Sequence, residues 1–328
     1  MGSIHAGEFH YPNSYTLLYT SITHRTPRIT NTSITRRTTA TMTTITLKSP
    51  EISVSLPEGF SEAQLLSFSP FNSWLKTLTN SLSLQHSNAK HPFHGDPYAL
   101  RSITVQSYDL FGQRVGFLKL QARVTNAAGE SLPGAVFLRG PSVGMLVMLI
   151  PDDAPPTEEE ERYVLLTIQP RIPAGSLAFA ELPAGMVDDD GSSGGSGKFA
   201  GTAAREIYEE LGIEIPASEL TCLSDLAAAA GSDEAEGEEE GLPSAMYPSA
   251  GGCDEYIPIY MHERRVPRDT LAAWTGKLTG LRDHGEKITL KLVPMRELMR
   301  EGRRDAKALA ALALWEGLRR EGKLRGEP

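Results

Sequence analysis

The chain has 328 residues, 40% of them hydrophobic and 22% charged, and a net charge of −9; this is a globular average that allows one large domain or two smaller ones. The acidic balance argues against nonspecific nucleic-acid binding, which needs an excess of Lys and Arg, and an acidic chain that handles phosphates needs a cation. Two cysteines far apart, Cys222 and Cys253, exclude a disulfide framework and a CxxC zinc site, and the apolar run Val143–Ile150 is far short of the roughly 20 residues that span a bilayer.

Residues 1–50 are rich in Ser and Thr and carry Arg25, Arg28, Arg36, Arg37 and Lys48, with no acidic residue between Phe9 and Pro50. That pattern is similar to a transit peptide for the mitochondrion or another organelle. Its alternative reading is a disordered tail, with too few large apolar residues to offset the entropy of ordering, on a cytoplasmic protein.

Phe60–Leu82 has Leu65, Leu66, Phe68, Trp74, Leu75 and Leu78 near helical spacing. Short strand patterns follow at Ile103–Tyr108 and Val115–Val124, on either side of a turn at Phe111-Gly112-Gln113, and at Ala135–Leu138. A boundary near Gly134 separates a helix and small β-sheet domain, 51–134, from a mixed domain, 135–328. In the latter, Val143–Ile150 and Tyr163–Gln169 are expected as central strands. A helix at Gly201–Leu211 is closed by Gly212. Beyond it, strands at Tyr256–Met261 and Ile288–Pro294 alternate with helices at Arg268–Trp274 and Asp305–Arg320, the last with Leu309, Leu312, Trp315 and Leu318 as its apolar stripe. Residues 152–161 read as an acidic loop, 191–197 as a Gly/Ser run, and 227–241 as a surface insertion whose dense acidic run stays solvated.

The chemistry gathers on the helix at 201–211. Glu206, Glu209 and Glu210 share one face at spacings of three and four, and like charges so placed are mutually destabilising unless solvent or a cation offsets them. An oxygen-rich cluster suits magnesium or manganese. The bland alternative is a solvated helix face, because glutamate is a good helix former.

Upstream stands Glu181-Leu182-Pro183-Ala184-Gly185-Met186, and the helix reads Arg205-Glu206-Ile207-Tyr208-Glu209-Glu210-Leu211-Gly212-Ile213. Together they resemble the box of the Nudix family, G-x5-E-x7-R-E-U-x-E-E-x-G-U with U apolar, and match its second half at every specified position. The first half departs. Gly185 lies 20 residues before Arg205 where the family has 14, the extra length falls in the Gly/Ser run, and Asp188, Asp189 or Asp190 stands in for the isolated glutamate. Arg139-Gly140-Pro141, Gln169-Pro170-Arg171, Gly251-Gly252-Cys253-Asp254-Glu255 and Gly280–Glu286 resemble segments of the ADP-sugar pyrophosphatase branch, especially its plant organellar ADP-glucose type.

This resemblance implies a Nudix α/β/α sandwich preceded by a smaller N-terminal antiparallel β-sheet domain, in a homodimer, and implies that 152–161, 191–197 and 227–241 are all insertions. It implies hydrolysis of an ADP-sugar, ADP-glucose or ADP-ribose, to AMP and a sugar phosphate. Glu206, Glu209, Glu210, Glu286 and the backbone carbonyl of Ala184 match metal ligands, with Arg205 orienting a glutamate. Magnesium, or manganese in its place, would neutralise the diphosphate and activate the attacking water. Glu286, Glu255 and His284 are candidates for the general base, Glu286 first, and Glu209 is a ligand or its close support. Arg171, Glu181 and Glu255 are candidate substrate-binding residues; the purely structural alternative is a surface ion pair for Arg171 and a turn cap for Glu181. Cys253 reads as a small packed thiol. A catalytically silent nucleotide-sugar sensor, or a hydrolase of other nucleoside diphosphate derivatives, is the competing reading.

Overall fold

The computed structural model describes residues 42–155, 161–187, 196–229, 240–281 and 287–324. Among these, two sheets form, one of six strands and one of eight. The first takes β1 (Thr43–Lys48), β2 (Glu51–Leu56), β3 (Ala99–Phe111), β4 (Arg114–Thr125) and β5 (Ser131–Leu132) in order, with β6 (Ala135–Leu138) also on β4. Its pairings are antiparallel apart from β2 with β3. The β3–β4 hairpin turns at Gly112, φ 64°, in the two-residue loop that its sequence implied.

β1 begins inside the stretch read as tail, and β6 lies beyond Gly134 but still pairs with β4, so this sheet takes in residues on both sides of the sequence-read boundaries. β1 and β2 are rich in Thr, Ser and Ile, a composition shared by polar tails and half-buried strands. The helical pattern of Phe60–Leu82 divides into α1 (Glu62–Ser67) and α2 (Ser69–Ser87). Ser61 and Gln64 form a reciprocal capping box on α1, and Pro70 falls in the first turn of α2, where its missing N–H is no loss. Leu65, Phe71 and Leu75 pack on Ile103, Val105, Leu118, Leu120 and Leu138 to make this sheet's own core.

The second sheet has the order β11 (Thr221–Cys222), β12 (Ile259–Val266), β7 (Ser142–Pro151), β8 (Tyr163–Arg171), β14 (Ile288–Pro294), β13 (Leu278–Thr279). β9 (Ser176–Glu181) pairs with β8, and β10 (Ala184–Met186) with β7. Every residue of β7 is buried, as expected of a strand covered on both faces. Val143, Met145, Val147 and Leu149 meet Ala203, Ile207 and Leu211 of α3 (Ser196–Leu211), together with Leu271 of α5 (Arg268–Ala272). Leu146 and Met148 meet Leu223 of α4 (Leu223–Ala228), Leu298 of α6 (Leu298–Glu301) and Ala308, Ala311, Trp315 and Leu318 of α7 (Ala306–Arg320). Helices thus cover both faces of the sheet in an α/β/α sandwich.

The buried stripe of α7 differs from its sequence reading. Leu309 is exposed, and the small Ala308 and Ala311 face the sheet with Trp315 and Leu318. Apolarity alone favours the leucine, but the close approach of helix to strand favours the alanines. Among the described residues no helix is long and apolar enough to cross a membrane.

Candidate active site

Two adjacent ends build the site: the turn from β9 into β10, and the last two turns of α3. Pro183 has no N–H to lose, and its carbonyl accepts from Met145 at 2.9 Å. Ala184, Gly185 and Met186 then pair with Gly144, Val143 and Ser142, which fixes the turn to the central strand. Ile207 and Leu211 anchor α3 in the core beneath that strand. Gly212, φ 68°, ends the helix, its N–H donating to the Tyr208 carbonyl at 2.9 Å, as a left-handed C-terminal glycine should.

This packing turns Glu206 and Glu210 toward the turn. A Cβ built on Gly185 would meet Glu206 Cδ at 1.9 Å, so a residue without a side chain lets the carboxyl lie against the backbone. Glu210 is buried, 2% exposed. Its Oε2 accepts from the Ala184 N–H at 3.1 Å, and its Oε1 makes a long contact of 3.5 Å with Gln169 Nε2. Arg205 stands 3.5 Å from Glu206 Oε1 with its guanidinium partly in solvent, a position from which it can orient that carboxylate. Glu209 is half-buried.

Glu206, Glu209, Glu210 and the Ala184 carbonyl are all oxygen donors, a set whose chemistry fits a hard divalent cation. Among the described residues no three His, Cys, Asp or Glu side chains converge as a ready metal site. One expected donor is a backbone carbonyl, and Glu286, with His284 and Asp188 to Asp190, lies outside the described residues.

Glu181, at the end of β9, is 3% exposed. Its Oε1 accepts from Arg171 Nε at 2.6 Å and its Oε2 from Lys307 Nζ at 2.9 Å. Lys307 also reaches Asp305 Oδ1 at 2.9 Å, while Asp305 Oδ2 accepts from the Leu182 N–H at 2.8 Å. Burial works against the Lys307 charge, but Asp305 and Glu181 outweigh it and hold the ammonium above its ordinary range. The start of the turn is thereby tied to the start of α7, which Asp305 caps. Of this group, sequence reasoning had singled out Arg171 and Glu181. It quoted Gln169 only as part of the Gln169-Pro170-Arg171 segment and gave it no role, and it missed Lys307, which carries no local signal, and the role of Asp305 beyond the helix start.

Glu255 lies on the other flank of the turn. Ser142 Oγ donates to its Oε1 at 2.7 Å, and Arg139 Nη1 stands 3.4 Å from its Oε2. Ser142 pairs with Met186, so Glu255 is held beside the turn with both oxygens engaged. Burial pushes the neighbouring Asp254 carboxyl up from its ordinary value, against the lowering effect of the Arg139 and Gly140 N–H groups. Cys253 is half-buried and burial raises its thiol too, which suits a packed thiol rather than a nucleophile.

The family model of the NUDIX domain matches residues 152–312. The chain is 36% identical over 253 residues to "Nudix hydrolase 14, chloroplastic" of Arabidopsis thaliana, across 77% of this chain and 71% of the relative. The chain belongs to the Nudix hydrolase family. The segment Arg205–Ile213 that resembles the second half of the family's box lies on α3 and the glycine turn that ends it, and Gly185 lies in the turn between β9 and β10. Among solved structures, one described as "Crystal structure of ADP compounds hydrolase" is similar with a TM-score of 0.40 and 16% identity, over 69% of this chain and 99% of that one.

Proposed function

We propose that this Nudix protein hydrolyses the diphosphate bond of an ADP-sugar, ADP-glucose or ADP-ribose, to AMP and a sugar phosphate, with magnesium as cofactor and manganese able to replace it. The observation that carries the reading is the convergence of Glu206 and Glu210 on the Ala184–Gly185 backbone. These groups, with Glu209 and Glu286, would hold the metal, which when bound neutralises the diphosphate and lowers the pKa of the attacking water.

In this reading the chain's own groups divide the work. Arg205 orients Glu206, and Glu286 takes the proton from water. Arg171, carried on β8 two residues after Gln169, clamps a phosphate through its planar fork. Glu181 holds Arg171 beside the turn until substrate arrives, and Glu255 borders the substrate from the opposite flank. Further parts of the proposal are a homodimer and import into an organelle directed by the Ser/Thr/Arg-rich segment that precedes β1. The word "chloroplastic" in the Arabidopsis relative's name supports import.

The test is AMP release from purified protein given ADP-glucose and ADP-ribose separately, each with magnesium and with excess chelator. Metal-dependent AMP release from either is the expected result, and the ratio of rates names the preferred sugar. A folded protein that releases no AMP from either would overturn the ADP-sugar assignment.

A further inference from the structure

Lys307 belongs to no part of the box, yet it is joined to the site through Glu181. Both oxygens of the Glu181 carboxylate are taken by cations, and the two cations differ in kind. Lys307 is enclosed, with its side chain 11% exposed, whereas the Arg171 side chain is 40% exposed. Arg171 contacts Glu181 through Nε, and its two terminal amino groups have no hydrogen-bond partner among the described residues. A buried carboxylate with a single cationic partner would resist losing it, because the uncompensated charge is costly. Glu181 has a second.

The other neighbour of Lys307 does not compete strongly for it. Asp305 also accepts from the Leu182 and Lys307 backbone N–H groups, at 2.8 and 3.1 Å. It sits at the N-terminus of α7, where the helix dipole favours a negative charge. Lys307 therefore remains available to compensate Glu181.

We propose that Lys307 is a positioning residue for substrate: by neutralising Glu181 permanently, it frees the half-buried Arg171 to turn from Glu181 to a phosphate oxygen of the diphosphate. This rests on the diphosphate reading given above. Without Lys307, Glu181 would retain Arg171, and substrate would have to bind against that ion pair.

The experiment is a double-mutant cycle on the full chain. Binding of α,β-methylene ADP-ribose, whose bridge resists hydrolysis, is measured by calorimetry in magnesium for the wild type, Arg171→Ala, Lys307→Met and the double variant. Lys307→Met is expected to weaken binding by about tenfold when Arg171 is present and by less than about twofold when it is absent. An equal loss in both backgrounds would mean that Lys307 is structural, and would overturn the inference. Should Lys307→Met fail to fold, Lys307→Gln, which removes the charge but keeps a polar group within reach of Glu181, takes its place in the cycle. The same coupling to Arg171 is expected, and an equal loss in both backgrounds counts against the inference. A folded wild-type chain that does not bind the analogue defeats the diphosphate reading itself. Binding without coupling defeats only the role of Lys307.

Discussion

Glu206 lies against Gly185 so closely that a Cβ on the glycine would stand 1.9 Å from Glu206 Cδ and 2.4 Å from its Oε1. Residues 21 positions apart in sequence thus share one space, and the glycine is required by contact rather than by a turn. Gly185→Ala should force the carboxylate off the turn while β10 stays paired with β7. Because displacements of about 1 Å at a reacting centre can cost about 100-fold, turnover should fall by about that factor. Thermal denaturation checks that the fold survives, and near-normal kcat in the variant would refute the contact's importance.

Glu210→Gln tests the charge at the same end of α3. Glu210 accepts from the Ala184 N–H and faces Gln169 Nε2, so an amide places a second donor where an acceptor is needed. Loss of the carboxylate should reduce turnover by roughly 100- to 1000-fold, and the mismatch should lower stability by about 1–3 kcal/mol. Kinetics and urea denaturation separate the two effects. A silent sensor that binds without metal would retain its ligand affinity in this variant.

Asp305→Ala removes the N-cap of α7, the acceptor of the Leu182 N–H and one of the two carboxylates on Lys307. Cap loss alone typically costs about 1 kcal/mol, and breaking a buried ion network about 3–5 kcal/mol, so the variant should lose about 3–5 kcal/mol in urea denaturation. A loss below about 1 kcal/mol would show that the network contributes no more than an ordinary cap.

Burial pushes the Cys222 thiol from its ordinary 9.0 up to about 11, with Asp225 also contributing. The native thiol stays protonated where the unfolded one ionises, so this group makes the folded state less stable as pH rises from about 9 to about 11. Below that window it contributes no pH dependence. At pH 9 Cys222 should react with iodoacetamide much more slowly in the native protein than in the urea-unfolded chain, as mass spectrometry of the labelled peptide will read. Equal rates would contradict a protected thiol.

The sequence by itself determined the local parts of this protein. The α3 segment and its glycine stop, the central strands β7 and β8, the β3–β4 hairpin and the glutamate face were all legible. Each depends on residues within about two turns or one hairpin of one another, where periodicity and turn chemistry act directly. β1 and β2 were not legible, because half-buried strands of Thr, Ser and Ile look like a polar tail until they pair with each other and β2 with β3. In the stripe of α7, Trp315 and Leu318 are buried as read, but Ala308 and Ala311 take the buried places nearer its start, because how near a helix lies to its sheet is not written in the helix. Tertiary structure alone decided that Glu206 rests on Gly185, and that Lys307, 126 residues from Glu181, balances its buried charge. Such contacts form between elements that approach only after the sheet has ordered β8, β9 and β10 around β7, and packing geometry, with no local pattern to announce it, selects which side chains meet.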